Sequence, residues 1–206
     1  MPTTFDLFGT LVAAERSDTP AEAVADALAD RGVPVPDDWT VAYREPHEAV
    51  PEGAEQPLPD HVAAALASRG VDADGELVRE ATLAAFDRPV AVRDGARKAV
   101  VAAREHGSVG VLSNCSVPGL AERALERAGL DVDAVVTSVG CGWRKPDPRA
   151  FAAVADALDA EPESLVHVGD DPSTDDGVEA VGGRAVLLAE TPLRELPELL
   201  EGRACR

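Results

Sequence analysis

The stretch that decides the fold of this 206-residue chain is TTFDLFGTLVA, residues 3–13. Its short apolar run, Thr3–Leu7, predicts a buried first strand, and Gly9 marks the turn that follows. Asp6 therefore lies where the strand gives way to the turn, and Phe8 stands two places further on. A carboxylate at a strand end is a candidate for chemistry, because parallel sheets bind ligands beyond the carboxyl ends of their strands.

From residue 90 onward, apolar runs alternate with helical patterns. This alternation predicts a doubly wound α/β fold, in which helices cover both faces of a Rossmann-like parallel sheet. The predicted strands are Ser108–Ser113, Ala134–Val139, Leu165–Gly169 and Arg184–Leu188. The predicted helices are Val92–His106, Pro118–Ala128, Pro148–Leu158, Gly177–Gly182 and Pro192–Leu200.

Residues 14–89 differ from the region that begins at residue 90, because they have no convincing strand pattern. Ala21–Arg31, His61–Arg69 and Glu76–Phe86 have the apolar spacing of helices, and Pro46–Pro59 is a proline-rich loop. The sequence thus predicts a core domain made of residues 1–13 and 90–206. A small helical domain, residues 14–89, is inserted after the first strand.

Polar residues follow four segments of the predicted sheet, and they belong at one edge of it. They are Asp6 after the first strand, Ser113 and Asn114 after the second, Lys145 in the loop after the third, and Asp170 and Asp171 after the fourth. A carboxylate can attack a phosphoryl group, and Mg²⁺ is usually held by one or two carboxylates plus substrate. Lysine and hydroxyl donors stabilise the charge that develops on the phosphoryl oxygens.

Four segments, FDLFGTLV, VLSNCS, RKPDP and VGDDPSTDD, occur in this order. They resemble the four signature motifs of the haloacid dehalogenase (HAD) superfamily of hydrolases. The helical insertion between the first two motifs resembles the cap of its capped subfamily I type. The resemblance covers nearly the whole chain and implies a Rossmann-like core, a cap and a hydrolase activity.

The resemblance implies a role for each residue that handles the phosphoryl group. Asp6 matches the nucleophile, and Thr10 belongs to the turn beside it and to the phosphate-binding set. Ser113 matches the hydroxyl that contacts phosphate, with Asn114 as its neighbour. Lys145 matches the lysine that pairs with the nucleophile and with the phosphoryl oxygens.

The resemblance also implies a Mg²⁺ site. Asp6, the backbone carbonyl of Phe8, and Asp170 match its ligands, and Asp175 fits the second acid of the fourth motif. Two further acids, Asp171 and Asp176, are alternatives to Asp175.

Phe8 departs from the phosphatase pattern, because HAD phosphatases usually have a second aspartate at this position. That acid protonates the leaving oxygen and later activates water, a contribution of typically about 10²–10⁴ in rate. Dehalogenases of the superfamily usually have an aromatic residue there, so Phe8 favours a dehalogenase. VGDD, at residues 168–171, resembles the metal-binding motif of the phosphatases and therefore favours a phosphatase.

Three functions therefore stay open. A Mg²⁺-dependent phosphatase acting on a small phosphorylated metabolite is favoured, because Phe8 can supply a carbonyl oxygen to the metal as well as aspartate can. The alternatives are a metal-independent 2-haloacid dehalogenase and a regulatory protein that binds phosphate without turnover. In a phosphatase, the missing acid could come from the insertion, and the candidates are Glu15, Asp18, His47 and Glu48.

The amino-acid composition argues against some classes of binding partner. Thirty-eight acidic and 19 basic residues give a net charge of −19, and only Lys98 and Lys145 are lysines. Such a charge argues against nucleic acid and anionic membranes as partners. Abundant acids and scarce lysines resemble proteins of halophilic archaea, so we expect a fold that needs salt.

Cysteine usage and hydropathy predict the compartment. Cys115, Cys141 and Cys205 form no CxxC pair, which is typical of a reducing interior. No signal peptide and no apolar run of about 18 residues is found, so the expected location is cytoplasmic. The sequence does not predict an oligomeric state.

Overall fold

A computed structural model describes residues 1–15 and 17–204 of the chain, so Cys205 lies outside the described residues. In chain order its strands are β1 (Thr3–Phe5), β2 (Val12–Ala14), β3 (Val90–Val92), β4 (Val109–Ser113), β5 (Ala134–Thr137), β6 (Val166–Gly169) and β7 (Arg184–Leu187). Its helices are α1 (Pro20–Ala29), α2 (Trp39–Arg44), α3 (Leu58–Ala67), α4 (Gly75–Phe86), α5 (Ala96–His106), α6 (Leu120–Ala128), α7 (Ser138–Cys141), α8 (Pro148–Ala157), α9 (Pro172–Asp175) and α10 (Leu196–Ala204). Short 3₁₀ turns lie at Pro162–Ser164, Asp176–Val181 and Leu193–Glu195.

The central sheet is parallel and has the strand order β5–β4–β1–β6–β7. From the central strand β1, the chain builds the sheet outward on one side through β4 and β5. It then returns to build the other side through β6 and β7. The strand order therefore reverses at β1, which is where doubly wound sheets bind their ligands. The predicted α/β fold is confirmed.

Both faces of the sheet are covered, because neighbouring strand residues point in opposite directions. In β4, Val109 and Val111 belong to the apolar cluster formed with α5, α6 and α10. Leu112 packs on the other side with Phe151 and Val154 of α8. All five side chains are buried, so β4 has apolar residues on both faces, as expected for a parallel sheet.

Helices α1–α4 form a separate apolar cluster. Val24 and Leu28 of α1, Val62 of α3 and Val78 of α4 meet in it and are almost fully buried. Helix α2 was not predicted, because six residues are too few for a helical period to show. It is held by Trp39, whose indole Nε1–H donates to the Ala21 carbonyl at 2.7 Å.

Both connections between these helices and the sheet run through a two-stranded antiparallel ribbon. Its strands β2 and β3 pair with Val12 opposite Val92 and Ala14 opposite Val90. This differs from the prediction, in which a helix begins at Val92. The helix begins only at Ala96, because Gly95 has a φ of +83° and ends the ribbon in the left-handed region.

The net charge of −19 leads to a first prediction, on salt dependence. Concentrated salt reduces the Debye length to about 3 Å, so it screens the self-repulsion of an acidic surface. We expect the melting temperature to rise by several degrees from dilute buffer to molar KCl, followed by circular dichroism. An identical spectrum and melting temperature in both buffers would contradict it. Among the described residues, no helix is long and apolar enough to cross a membrane.

Candidate active site

Three strand ends meet at one edge of the central sheet. Asp6 follows β1, Ser113 ends β4 and Asp170 follows β6, and β1 pairs with both β4 and β6. The Asp6 N–H donates to the Val168 carbonyl at 2.9 Å, so the ladder continues up to the carboxylate. These residues line an open cavity of about 1050 Å³.

The core of the site is one lysine between two carboxylates. The Lys145 Nζ lies 2.9 Å from the Asp6 Oδ1 and 2.6 Å from the Asp175 Oδ1. Lys145 and Asp175 are 3% and 1% exposed, and Asp6 is 8% exposed. A single cation thus bridges two buried anions that come from distant parts of the chain.

The electrostatics of the two carboxylates differ. Burial raises the pKa of Asp6, although the neighbouring Lys145 ammonium acts in the opposite direction. Burial also raises the pKa of Asp175. A hydrogen bond from His167 and the positive charge of Lys145 outweigh burial and hold this pKa well below its usual range. Asp175 is therefore a permanent anion that anchors Lys145. Asp6 is the more basic and more exposed of the pair, as a nucleophile should be.

Asn114 fixes the backbone of the loop that carries Lys145. Its Oδ1 accepts from the Lys145 N–H at 2.7 Å, and its Nδ2 donates to the Lys145 carbonyl at 2.9 Å. Asn114 and Ser113 both line the cavity. The side-chain amide of Asn114 thus positions Lys145, a contact that the sequence does not predict.

Asp170 packs against the turn after β1. Gly9 has a φ of +107°, and a Cβ placed there would lie 2.5 Å from the Asp170 Oδ2. Only glycine therefore leaves room for this carboxylate beside the turn. The Thr10 hydroxyl donates to the Asp170 Oδ1 at 2.9 Å.

The contact with Asp170 differs from the expectation that Thr10 binds phosphate. Thr10 is fully buried and is not among the residues that line the cavity. Its hydroxyl instead orients Asp170. A contact between Thr10 and a phosphoryl group stays a prediction.

A family model for haloacid dehalogenase-like hydrolases matches residues 4–181. The chain belongs to this family. Two curated relatives are similar over part of their length. A phosphatase of Mycobacterium tuberculosis is 40% identical over 96 residues, which are 45% of this chain and 44% of the relative. The haloacid dehalogenase-like hydrolase domain-containing protein 3 of Bos taurus is 36% identical over 102 residues, which are 48% of this chain and 40% of the relative.

The chain therefore spans less than half the length of the curated relatives that it matches. A solved structure is similar over nearly all of the chain. The 2-haloacid dehalogenase from Pseudomonas syringae pv. Tomato DC3000 has a TM-score of 0.73 and 25% identity, and the alignment covers 98% of each chain. Proteins similar to this chain thus include one named a phosphatase and one named a dehalogenase.

The oxygen donors of this site fit Mg²⁺. Asp6, Asp170 and the Phe8 carbonyl offer oxygen ligands, the type that Mg²⁺ prefers. The Asp170 carboxylate packs against Gly9, which is next to Phe8 in the chain. Among residues 1–15 and 17–204, no group of three His, Cys, Asp or Glu side chains is placed to hold a metal. Mg²⁺ commonly takes one or two carboxylates and completes its shell with water and substrate, so such a group is not required.

The other acids of the fourth motif have different contacts. Asp171 caps α9, because its Oδ1 accepts from the N–H and the hydroxyl of Ser173 at 2.9 and 2.7 Å. The Asp175 Oδ2 accepts from the Asp171 N–H at 3.0 Å, and its Oδ1 is held by Lys145. Asp176 does not line the cavity. Asp175 thus anchors Lys145. A role of Asp175 as a metal ligand stays a prediction.

His167 is a residue of the site that the sequence analysis missed. It lies inside β6, is fully buried, and its Nε2 is 3.1 Å from the Asp175 Oδ1 and 3.4 Å from the Lys145 Nζ. Burial and the nearby lysine charge lower its pKa to about 4, so the imidazole is neutral at physiological pH. Nδ1 lies 2.8 Å from the Thr4 hydroxyl. In the tautomer that satisfies Thr4 and Asp175, the Thr4 hydroxyl donates to Nδ1 and Nε2–H donates to Asp175. A histidine within an otherwise apolar buried strand was the available signal.

The second prediction concerns this imidazole donor. In His167→Leu, Asp175 loses one hydrogen bond and Lys145 is less well held, so we expect kcat to fall about tenfold or more with KM little changed. His167→Gln can keep one N–H donor and should recover most of the loss. Phe151→Leu is the control, because Phe151 packs on the imidazole edge-to-face at 5.3 Å and makes no contact with the carboxylates. Equal losses in all three variants would show a packing role only.

The candidates for the missing acid are spread over the insertion. Glu15 lines the cavity beside Asp6, whereas Asp18, His47 and Glu48 do not. The His47 Nε2 is bonded to the Ala42 carbonyl at 2.8 Å, and its ring packs on His61. Of the four, only Glu15 lines the same cavity as Asp6.

Cys115 also lines the cavity, but it is a poor nucleophile. Burial raises the pKa of its thiol to about 11, so it is protonated at neutral pH.

Proposed function

We propose that this hydrolase is a Mg²⁺-dependent phosphatase that acts on a small phosphorylated metabolite in the cytoplasm. The observation that carries the proposal is the bridge from Asp6 through Lys145 to Asp175, with Asp170 seated on Gly9 beside it. The bridge provides an attacking carboxylate and a fixed cation, and Asp170 adds a second oxygen donor. The net charge of −19 also favours a small substrate over nucleic acid.

In the first step, a carboxylate oxygen of Asp6 attacks phosphorus. The bond from phosphorus to the leaving oxygen breaks, and the leaving oxygen takes the electron pair. In the second step, water attacks the acyl phosphate on Asp6, which returns the carboxylate and releases inorganic phosphate. Lys145 holds the Asp6 Oδ1 at 2.9 Å, so the nucleophile has a fixed rotation before the substrate arrives.

The residues that would hold Mg²⁺ are Asp6, Asp170 and the carbonyl of Phe8. When bound, the ion reduces the repulsion between the anionic nucleophile and the anionic phosphate. Lys145 and the Ser113 hydroxyl would then stabilise the phosphoryl oxygens in the transition state.

Helices α1–α4 are proposed to act as the cap. Glu15 and Phe86, from the two ends of the insertion, line the cavity together with Leu58 of α3. Closing this side would exclude water during the first step. The Glu55 N–H donates to the Gly142 carbonyl at 2.9 Å, which ties the insertion to the loop that carries Lys145.

A metal-independent 2-haloacid dehalogenase is the second candidate, and Phe8 is the observation that favours it. Halide leaves without a proton, so an aromatic residue at this position costs such an enzyme nothing. The fold similarity to a 2-haloacid dehalogenase at 25% identity is compatible with it. Asp170 against Gly9 favours the phosphatase, because a metal-independent dehalogenase needs no second carboxylate as a metal ligand.

One experiment separates the two functions. Phosphate release from an aryl phosphate and chloride release from 2-chloropropanoate are measured in concentrated KCl, each with Mg²⁺ and with a chelator. Phosphate release that requires Mg²⁺ and leaves a phosphoryl group trapped on Asp6 would support the phosphatase. Metal-independent chloride release would overturn it. If the folded protein binds phosphate but releases neither product, it is a binding protein.

The third prediction restores the missing acid. Phe8→Asp should raise kcat/KM for an alkyl phosphate by about 10²–10⁴, because a poor leaving group needs a proton. An aryl phosphate leaves readily as the anion, so its kcat/KM should change far less. Phe8→Asn is the matched control, because it has the same size and polarity but carries no acidic proton. If both variants gain equally, the effect comes from space in the cavity.

A further inference from the structure

The cavity is much larger than a phosphoryl group requires. Its volume of about 1050 Å³ lies at the upper end of the range of about 300–1,000 Å³ that is usual for pockets holding drug-sized ligands. The catalytic carboxylates occupy one part of the wall. The rest of the wall therefore contacts the part of the substrate that is not transferred.

Two arginines line this cavity away from the strand ends. Arg88 follows α4, Arg93 follows β3, and both side chains are exposed. Neither forms an ion pair with a carboxylate among the described residues. By contrast, nine arginines of the described chain pair with Asp or Glu: Arg31, Arg69, Arg79, Arg104, Arg123, Arg127, Arg144, Arg149 and Arg194.

The ribbon connects both arginines to the segment of chain that follows the nucleophile. The Arg93 N–H donates to the Leu11 carbonyl at 3.0 Å, and Leu11 is five residues after Asp6. Arg88 is two residues before Val90, which pairs with Ala14. Ala14 itself lines the cavity. Strand β2 thus follows Asp6 in the chain, and the two arginines flank strand β3.

The backbone that carries the two arginines is well anchored. Asp87 accepts from Arg123 at 2.9 Å and from Arg127 at 2.8 Å, and the Arg88 carbonyl accepts from Arg127 at 3.1 Å. This segment is therefore tied to α6 of the core. Arg93 also borders a second cavity of about 530 Å³, which Arg97, Lys98 and Arg194 line as well. Binding of the anion in this second cavity is tested by the Lys98→Gln control below.

We propose that Arg88 and Arg93 form a subsite for a second anionic group, such as a carboxylate, on the part of the substrate that is not transferred. The inference rests on the proposed function and specifies its substrate class, a phosphomonoester that carries a further oxyanion. Guanidinium groups without an acidic partner are free to bind carboxylate or phosphate in a bidentate manner. In a chain with twice as many acids as bases, two unpaired arginines in one cavity make it selective for such a substrate.

The test uses binding, so it does not need turnover. Titration calorimetry with Mg²⁺ compares 3-phosphonopropanoate with 3-phosphonopropanamide, two phosphonates of equal length that differ by one charge. We expect the carboxylate to bind about tenfold or more tightly, as for charge-assisted hydrogen bonds. The preference should fall in Arg88→Gln and in Arg93→Gln and should disappear in the double variant.

Two controls complete the design. Arg44→Gln removes an exposed arginine of α2 that does not line the cavity, and Lys98→Gln alters only the second cavity. Neither should change the preference. Equal binding of the two phosphonates, or a preference that survives the double variant, would overturn the subsite. A preference that depends on the arginines in a protein that releases no phosphate would retain the subsite and overturn the phosphatase.

Discussion

Asp6→Asn is expected to abolish turnover of an aryl phosphate while the protein stays folded. Removal of a covalent nucleophile costs several orders of magnitude, and we expect a loss of at least about 10⁴-fold in kcat. An amide of the same shape can still accept from Lys145 at the position of the Asp6 Oδ1, so the geometry of the site is retained. Phosphate release and labelling of the protein by a phosphoryl group should vanish together.

The stability of Asp6→Asn is the accompanying control. The pKa of Asp6 is raised in the folded protein because burial disfavours its charge. An acid with a raised folded pKa costs stability above that pKa, so the ionised Asp6 destabilises the fold at neutral pH. The melting temperature of Asp6→Asn should therefore equal or exceed that of the parent at pH 7. An inactive variant that also melts much earlier would leave the role of Asp6 undecided between chemistry and folding, and an active one would refute the phospho-aspartate.

Lys145→Met should lose both activity and stability. Without the ammonium, Asp6 and Asp175 are left as buried anions with no cation between them. Removing one partner of a buried ion pair typically costs about 3–5 kcal/mol. The phosphoryl oxygens also lose their fixed positive charge, which typically costs about 10²–10³ in kcat.

The sign of the pH dependence distinguishes this mechanism from lost packing. In Lys145→Met the two carboxylates resist ionisation in the folded state, so their folded pKa values are raised. Stability is then lost as the pH rises through those values and is partly regained on acidification. The variant should melt higher at pH 5 than at pH 8. Lys98→Met is the matched control, because it removes the only other lysine at an exposed position and should change neither activity nor melting.

Much of the architecture could be predicted because it depends on local patterns. The strands that carry Asp6, Ser113 and Asp170 are buried apolar runs, and parallel strands bring their carboxyl ends to one edge. Helices α1, α3 and α4 follow from their apolar periodicity. What the pattern could not show is which partner takes a given hydrogen bond. The Asn114 amide binds the backbone of Lys145, and the Thr10 hydroxyl binds Asp170.

The ribbon and His167 were missed for a different physical reason. β2 and β3 have three residues each and stabilise one another across about 75 residues of chain, so neither has a signal of its own. His167 lies in β6, a strand whose residues are all buried, and its partners Thr4 and Asp175 come from other elements. Contacts of this kind arise only when the strands are assembled.

The paired ribbon also limits how the four inserted helices can move. A domain on one strand of chain can swivel about a few backbone bonds, but here the outgoing and returning strands are hydrogen-bonded to each other. Rotation about either strand alone would break that ladder. The insertion is also tied to the core away from the ribbon, because the Glu55 N–H donates to the Gly142 carbonyl and the Leu58 N–H donates to the Ser116 carbonyl, both at 2.9 Å. Because the Arg88 carbonyl is held by Arg127 of α6, a movement of the inserted helices would leave this arginine in place relative to the core.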